Sequence, residues 1–210
     1  VPVNGKPLIV YHLEKLSAIG IKDVVINISY LADQIRDALG DGKKFDLNII
    51  YSYEPEVLET GGGIVQALPL LGDEPFLVIS SDIYTDYPYE NLLALCHPEA
   101  GGIHRRISLG DNCLAHLILV PNPPFHPEGD FSLDSTGRIS NTPAYTYANL
   151  GVYHPDLFRD CSPGKYPLGP LLRKAADLHL LTGDIYKGIW YNVGTYEELE
   201  KLEQFAKGNG

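Results

Sequence analysis

The sequence predicts an α/β fold built on a mostly parallel sheet. Residues 8–51 alternate helical and strand periods, and an apolar run over 76–81, preceded by the turn residues Gly72 to Pro75, stops at the carboxylate of Asp82. A βαβ rhythm of this kind implies parallel strands joined by right-handed crossovers. The 210 residues fit one domain, 1–210, around a single core.

The elements follow in order. Val1 to Pro7 is rich in turn formers, and Pro7 suits the first turn of a helix. Ile9, Leu13 and Leu16 recur at i, i+4 and i+7, which predicts an amphipathic helix over 8–19 ended by Gly20. Val24 to Ile28 reads as a short β-branched strand, Leu31, Ile35 and Leu39 mark a second helix, and 47–51 is the next strand. Gly61, Gly62 and Gly63 then precede a helical pattern in Ile64, Val65, Ala67 and Leu68. Bare backbone N–H groups there would suit an anion or the edge of a base, although a glycine-rich turn before a helix is more often a tight connection. The run that ends at Asp82 does not alternate, so it is expected to be buried on both faces.

Residues 89–95 read as a helix and 97–112 as an exposed loop carrying the local basic cluster His104-Arg105-Arg106. A strand is expected over 114–120, with His116 a tolerated sheet residue. Four prolines between Pro121 and Gly129 rule out regular structure there. A hairpin over 131–139, a strand over 145–153, helices over 155–158 and 168–178, and a second hairpin over 180–194 complete the pattern. Thr195 and Glu198 form a capping box for the last helix, whose Leu199, Leu202 and Phe205 share one side.

The net charge of −11 argues against nucleic acid as a partner, because that polyanion needs a field of opposite sign. Small anions stay open, since a divalent cation and a few donors can neutralise a phosphate. Cys96, Cys113 and Cys161 have no CxxC spacing, which disfavours a zinc site or a disulfide framework. No apolar run approaches the roughly 20 residues that span a bilayer, so a cytosolic protein is expected. The chain has no methionine and opens Val1-Pro2-Val3, so a longer protein with an N-terminal piece upstream is expected.

In open α/β sheets ligands bind beyond the carboxyl ends of the strands, so Asp82 is well placed to hold a metal against a phosphorylated substrate; it equally suits a turn cap. Four motifs extend that reading: Val3-Asn4-Gly5-Lys6-Pro7-Leu8-Ile9, Leu58-Glu59-Thr60-Gly61-Gly62-Gly63, Ser81-Asp82, and Trp190-Tyr191-Asn192-Val193-Gly194-Thr195. Together they make the sequence resemble the sugar-1-phosphate nucleotidyltransferases across essentially its whole length. Within that family it looks most like the N-acetylmuramate α-1-phosphate uridylyltransferases, with mannose-1-phosphate guanylyltransferases as near relatives.

The resemblance implies a Rossmann-like three-layer fold with a mixed, mostly parallel central sheet. It also implies transfer of a nucleoside monophosphate from a nucleoside triphosphate to a sugar 1-phosphate, with UTP and N-acetylmuramic acid 1-phosphate as the expected pair. Mg²⁺ is the expected cofactor, held by Asp82, the catalytic residue, and by Asn192, where the family usually has Asp. An Asn carbonyl can ligate Mg²⁺ but brings no charge. Glu59, Thr60, Gly61 and Ser81 are expected at the nucleotide, and Gly129 and Asn149 at the sugar. By their types alone, Asn192, Gly129 and Asn149 are ordinary turn or strand-end residues. The family's first strand and glycine-rich phosphate loop would lie upstream of Val1. A non-catalytic nucleotide-sugar-binding regulatory domain and a structural oligomerisation module are the competing readings.

Overall fold

The computed structural model describes residues 2–96 and 113–208. The chain opens with β1 (Pro2–Val3) and β2 (Lys6–Pro7), a tight antiparallel pair, and passes into α1 (Leu8–Ala18). β3 (Asp23–Ile28), α2 (Ala32–Leu39) and β4 (Asn48–Tyr53) form the expected βαβ unit, with β3 and β4 parallel. Next come α3 (Glu59–Leu71), β5 (Phe76–Ile79), β6 (Ile83–Thr85) and α4 (Glu90–Cys96). The second half holds β7 (Ala115–Val120), β8 (Phe131–Leu133), β9 (Ile139–Tyr153), α5 (Gly169–Asp177), β10 (Leu181–Ile185), β11 (Trp190–Asn192) and α6 (Tyr196–Gly208).

The central sheet is mixed and runs β10, β7, β9, β5, with β8 pairing onto β9. Among the described pairings β3–β4 and β7–β10 are parallel, while β9 runs antiparallel to β5, β7 and β8. β7 shows why the fold has three layers. Ala115, Leu117 and Leu119 enter the apolar cluster under α3 and α5, whereas Ile118 and Val120 enter the cluster under α1 and α4. A strand whose alternate residues are buried on opposite sides needs helices on both faces. No described helix is long and apolar enough to cross a membrane.

Three expectations change. Residues 180–194 are not a hairpin: β10 pairs in parallel with β7, and β11 pairs antiparallel with β6. Each arm found a long-range partner in preference to its neighbour. The predicted hairpin arm at 139 and the strand at 145–153 are one strand, β9, of 15 residues. β5 ends at Ile79, so Asp82 lies in the turn that follows, and Leu77, Val78 and Ile79 are only half-buried. Among the described residues β5 pairs with β9 alone and β3 with β4 alone, which leaves one edge of each open. The loop expected at 97–112, with His104, Arg105 and Arg106, lies outside the described residues.

Candidate active site

The short β6–β11 ribbon brings Asp82 and Asn192 side by side. Asn192 lies opposite Ile83 in the register, and Val193 N–H donates to the Asp82 carbonyl at 2.8 Å. Asp82 itself is exposed, as is Ser81. The Asn192 Oδ1 is buried and has no hydrogen-bond partner. An oxygen in that state, on a strand bonded to the backbone of an exposed Asp, fits a cation that completes its coordination elsewhere. No three His, Cys, Asp or Glu side chains gather to hold a metal among the described residues. Two protein ligands suffice for Mg²⁺, which keeps waters and takes substrate phosphate oxygens for the rest.

Below this ribbon sits a residue that sequence reasoning missed. His12, from the buried face of α1, points Nε2 at the Ile83 carbonyl at 2.8 Å and Nδ1 at the Tyr89 hydroxyl at 2.7 Å. A carbonyl only accepts, so Nε2 carries the proton and Nδ1 accepts from Tyr89. Burial draws the His12 imidazole down to about 4 against an upward pull from the Ile83 carbonyl, with the Lys15 ammonium adding to the lowering and the Asp82 carboxylate opposing it. His12 is thus a neutral clamp on the first residue after Asp82. Its signal in the sequence is a polar ring at i+3 from Ile9 on the apolar side of the helix.

Asn149 joins the same corner through backbone geometry. The β7–β9 register passes from Leu117 opposite Gly151 to Leu119 opposite Tyr147, so β9 carries a bulge around 148–150. Asn149 takes the left-handed conformation there, with φ of 55°, which Asn tolerates better than most residues. Ser80 N–H donates to the Asn149 carbonyl at 3.0 Å, and Trp190 Nε1–H donates to the Ala148 carbonyl at 3.0 Å. The bulge therefore ties β9 both to the turn holding Asp82 and to the strand holding Asn192.

Glu59, Thr60 and Gly61 are placed by a different set of contacts. The glycines do not precede the helix but lie inside the first turns of α3, and all three are buried. A Cβ on Gly61 would come within 2.8 Å of the Tyr166 ring, one on Gly62 would strike the Gly164 carbonyl, and one on Gly63 would reach Glu54 Oε1 at 2.7 Å. Their missing side chains thus admit neighbouring chain. The Gly62 N–H is not bare either, since it donates to the Tyr166 carbonyl at 3.1 Å. Tyr166 N–H in turn donates to the Leu58 carbonyl at 3.1 Å, and buried Glu54 accepts Leu58 N–H at 3.0 Å and Asn27 Nδ2 at 2.8 Å. This grip leaves the Glu59 and Thr60 side chains exposed at the helix start, with Glu59 at a φ of 60°.

Gly129 occupies another corner. It is buried with φ of 75°, and a Cβ would meet Asn122 Oδ1 at 2.6 Å and the Tyr145 carbonyl at 2.8 Å. A cavity of about 510 Å³ beside Ser29, Leu31, Arg36 and Tyr53 lies at the ends of β3 and β4 and includes none of the predicted site residues.

Comparison with known proteins bears on this geometry. Residues 1–109 match the family model described as nucleotidyl transferase. The chain is 40% identical over 210 residues to the N-acetylmuramate alpha-1-phosphate uridylyltransferase of Neisseria meningitidis serogroup B, covering 97% of this chain and 87% of that protein. It is 30% identical to the protein of the same description from Caulobacter vibrioides, over 92% and 81% of the two chains. Among solved structures, a Bacillus anthracis protein described as a glucose-1-phosphate thymidylyltransferase superposes with a TM-score of 0.79 at 16% identity, over 99% of this chain and 85% of its own. HddC from Yersinia pseudotuberculosis superposes with a TM-score of 0.76 at 20% identity, over 98% and 88%. The structural likenesses establish the shared fold. The family model and the relatives establish descent, and the chain belongs to the nucleotidyl transferase family.

Proposed function

We propose that the protein is a Mg²⁺-dependent sugar-1-phosphate nucleotidyltransferase that makes a UDP-sugar from UTP and N-acetylmuramic acid 1-phosphate. The observation that carries this reading is the buried, unpartnered Asn192 Oδ1 on a strand whose next residue, Val193, hydrogen-bonds the Asp82 backbone at the end of the β6–β11 ribbon. The choice of UTP and of the sugar rests on the likeness to the Neisseria and Caulobacter proteins. With that sugar the reaction belongs to nucleotide-sugar biosynthesis in peptidoglycan recycling, in the cytosol.

A phosphate oxygen of the sugar 1-phosphate attacks the α-phosphorus of the triphosphate. The new P–O bond forms as the bond from the α-phosphorus to the bridging β-oxygen breaks, and pyrophosphate leaves. The attacking oxygen is already ionised, so no side chain need act as a base. Mg²⁺ bound at Asp82 and Asn192 would neutralise charge on the phosphates. Glu59, Thr60 and Gly61 would meet the base, Ser81 the nucleotide beside Asp82, and Gly129 and Asn149 the sugar. Their shared task is alignment, which can supply much of the barrier reduction in such a displacement.

The test is pyrophosphate release with UTP or GTP, each paired with N-acetylmuramic acid 1-phosphate or mannose 1-phosphate. Asp82→Ala should lower kcat by roughly 100-fold or more, on the order of 3 kcal/mol of barrier. Because Asp82 is exposed, its Tm should stay within a few degrees of the parent. Near-parental turnover in Asp82→Ala would sink the reading, and preference for GTP with mannose 1-phosphate would move the substrates to the guanylyltransferases.

A further inference from the structure

β6 and β11 share only three residue pairs, Trp190 with Thr85, Tyr191 with Tyr84 and Asn192 with Ile83. So short a ladder does not fix its own register, and a slip is costly for the site. One residue of slip turns Asn192 to the opposite face. Two residues move it by about 7 Å along the strand, far beyond the roughly 2.1 Å of a Mg²⁺–oxygen bond. Trp190 Nε1–H on the Ala148 carbonyl holds β11 to β9, and a second hold lies at the far end of the ribbon.

Asp86, the first residue past β6, is built to supply it. Its Oδ1 accepts the Ile189 N–H at 2.7 Å and the Tyr186 hydroxyl. Its own N–H donates to the Ile189 carbonyl at 3.2 Å, and Thr85 Oγ1 donates to that carbonyl at 2.8 Å. The Tyr186 ring meets Tyr87 edge-on at 5.0 Å, which fixes the direction from which its hydroxyl arrives. Gly188 leaves the path clear, because a Cβ there would overlap the Tyr186 hydroxyl. All of these bonds gather the 186–189 turn onto the end of β6, directly before the strand that carries Asn192.

We propose that Asp86 is a positioning residue: by holding Ile189 and Tyr186 it sets the register of β11 on β6 and so keeps Asn192 beside Asp82 for a shared divalent cation. This rests on the metal reading of Asp82 and Asn192 given above. The role belongs to the two hydrogen bonds that the oxygen accepts, and the negative charge is incidental to it. An Asn side chain retains one such oxygen, so the conservative substitution separates the two explanations.

Mn²⁺ binding to the purified full chain can be followed by quenching of Trp190, the one tryptophan in the sequence, two residues from Asn192. Asp86→Ala should weaken Mn²⁺ binding by about tenfold or more, the scale seen when a group that orients a metal ligand is lost. Asp86→Asn should stay within about twofold of the parent. Gly188→Ala, which displaces Tyr186 from the other side, should weaken Mn²⁺ binding as Asp86→Ala does, and with Tyr186→Phe it carries the test if Asp86→Ala does not fold. Saturable quenching that survives in Asp82→Ala would overturn the metal reading and this proposal with it. Loss in Asp82→Ala with parental binding in Asp86→Ala would overturn the positioning role alone. An Asp86→Asn variant as weak as Asp86→Ala would replace register with charge as the cause.

Discussion

At the scale of single residues, His12 shows how a structural side chain near the site leaves a pH signature. Its imidazole stays neutral down to about 4 because it is buried, while an unfolded chain protonates it near 6.5. The native form is therefore at no disadvantage above about pH 7. As pH falls from 6.5 towards 4 the unfolded chain takes up a proton that the native chain refuses, and stability is lost progressively by about 3 kcal/mol. His12→Gln removes that proton uptake. Denaturant unfolding of parent and variant across pH 4 to 7 should show the variant's deficit shrinking as pH falls; two parallel curves would show that His12 does not titrate this way. His12 also marks a limit of the sequence. The spacing of Ile9, Leu13 and Leu16 reveals the helix, but nothing local tells that the ring between them meets Ile83 and Tyr89, more than seventy positions away.

At the scale of elements, the first turns of α3 depend on the absence of side chains. Gly62→Ala puts a methyl group against the Gly164 carbonyl, which is backbone and cannot rotate aside, and within 3.1 Å of Leu58 Cβ. The expected cost is about 3 kcal/mol, a Tm lower by roughly 6 °C or more, read by thermal unfolding. A neutral Gly62→Ala would mean that the 161–166 segment does not pack on this helix. The three glycines stood out in the sequence as either an anion site or a tight connection, and their surroundings are tertiary: the 164–166 segment packs against Gly61 and Gly62. The 180–194 stretch failed for a related reason. Its residues read as a hairpin, but β10 and β11 pair with β7 and β6, partners that no local pattern names. Where all determinants were near in sequence, as in the capping box, the reading held. Glu198 accepts Thr195 N–H at 3.0 Å and Thr195 Oγ1 accepts Glu198 N–H at 3.2 Å.

At the scale of the whole molecule, the two apolar faces of β7 and β9 connect core and site. Tyr147 and Tyr153 of β9 lie in the cluster on one side and Ala148, Leu150 and Val152 in the cluster on the other, while the bulge between them holds Asn149. Trp190 is bonded to that bulge, so its fluorescence reports the site, whereas far-ultraviolet dichroism reports helices and strands throughout. One shared strand predicts one transition: both probes should give the same Tm within about 1 °C. An earlier midpoint for Trp190 would show that the β6–β11 ribbon melts as a separate unit.

The fifteen residues of β9 are also the worst place to divide this chain. They are the seam along which β5, β7 and β8 are all sewn, so a break among them would leave two pieces, each with unmatched backbone, and would part Asp82 from Asn192.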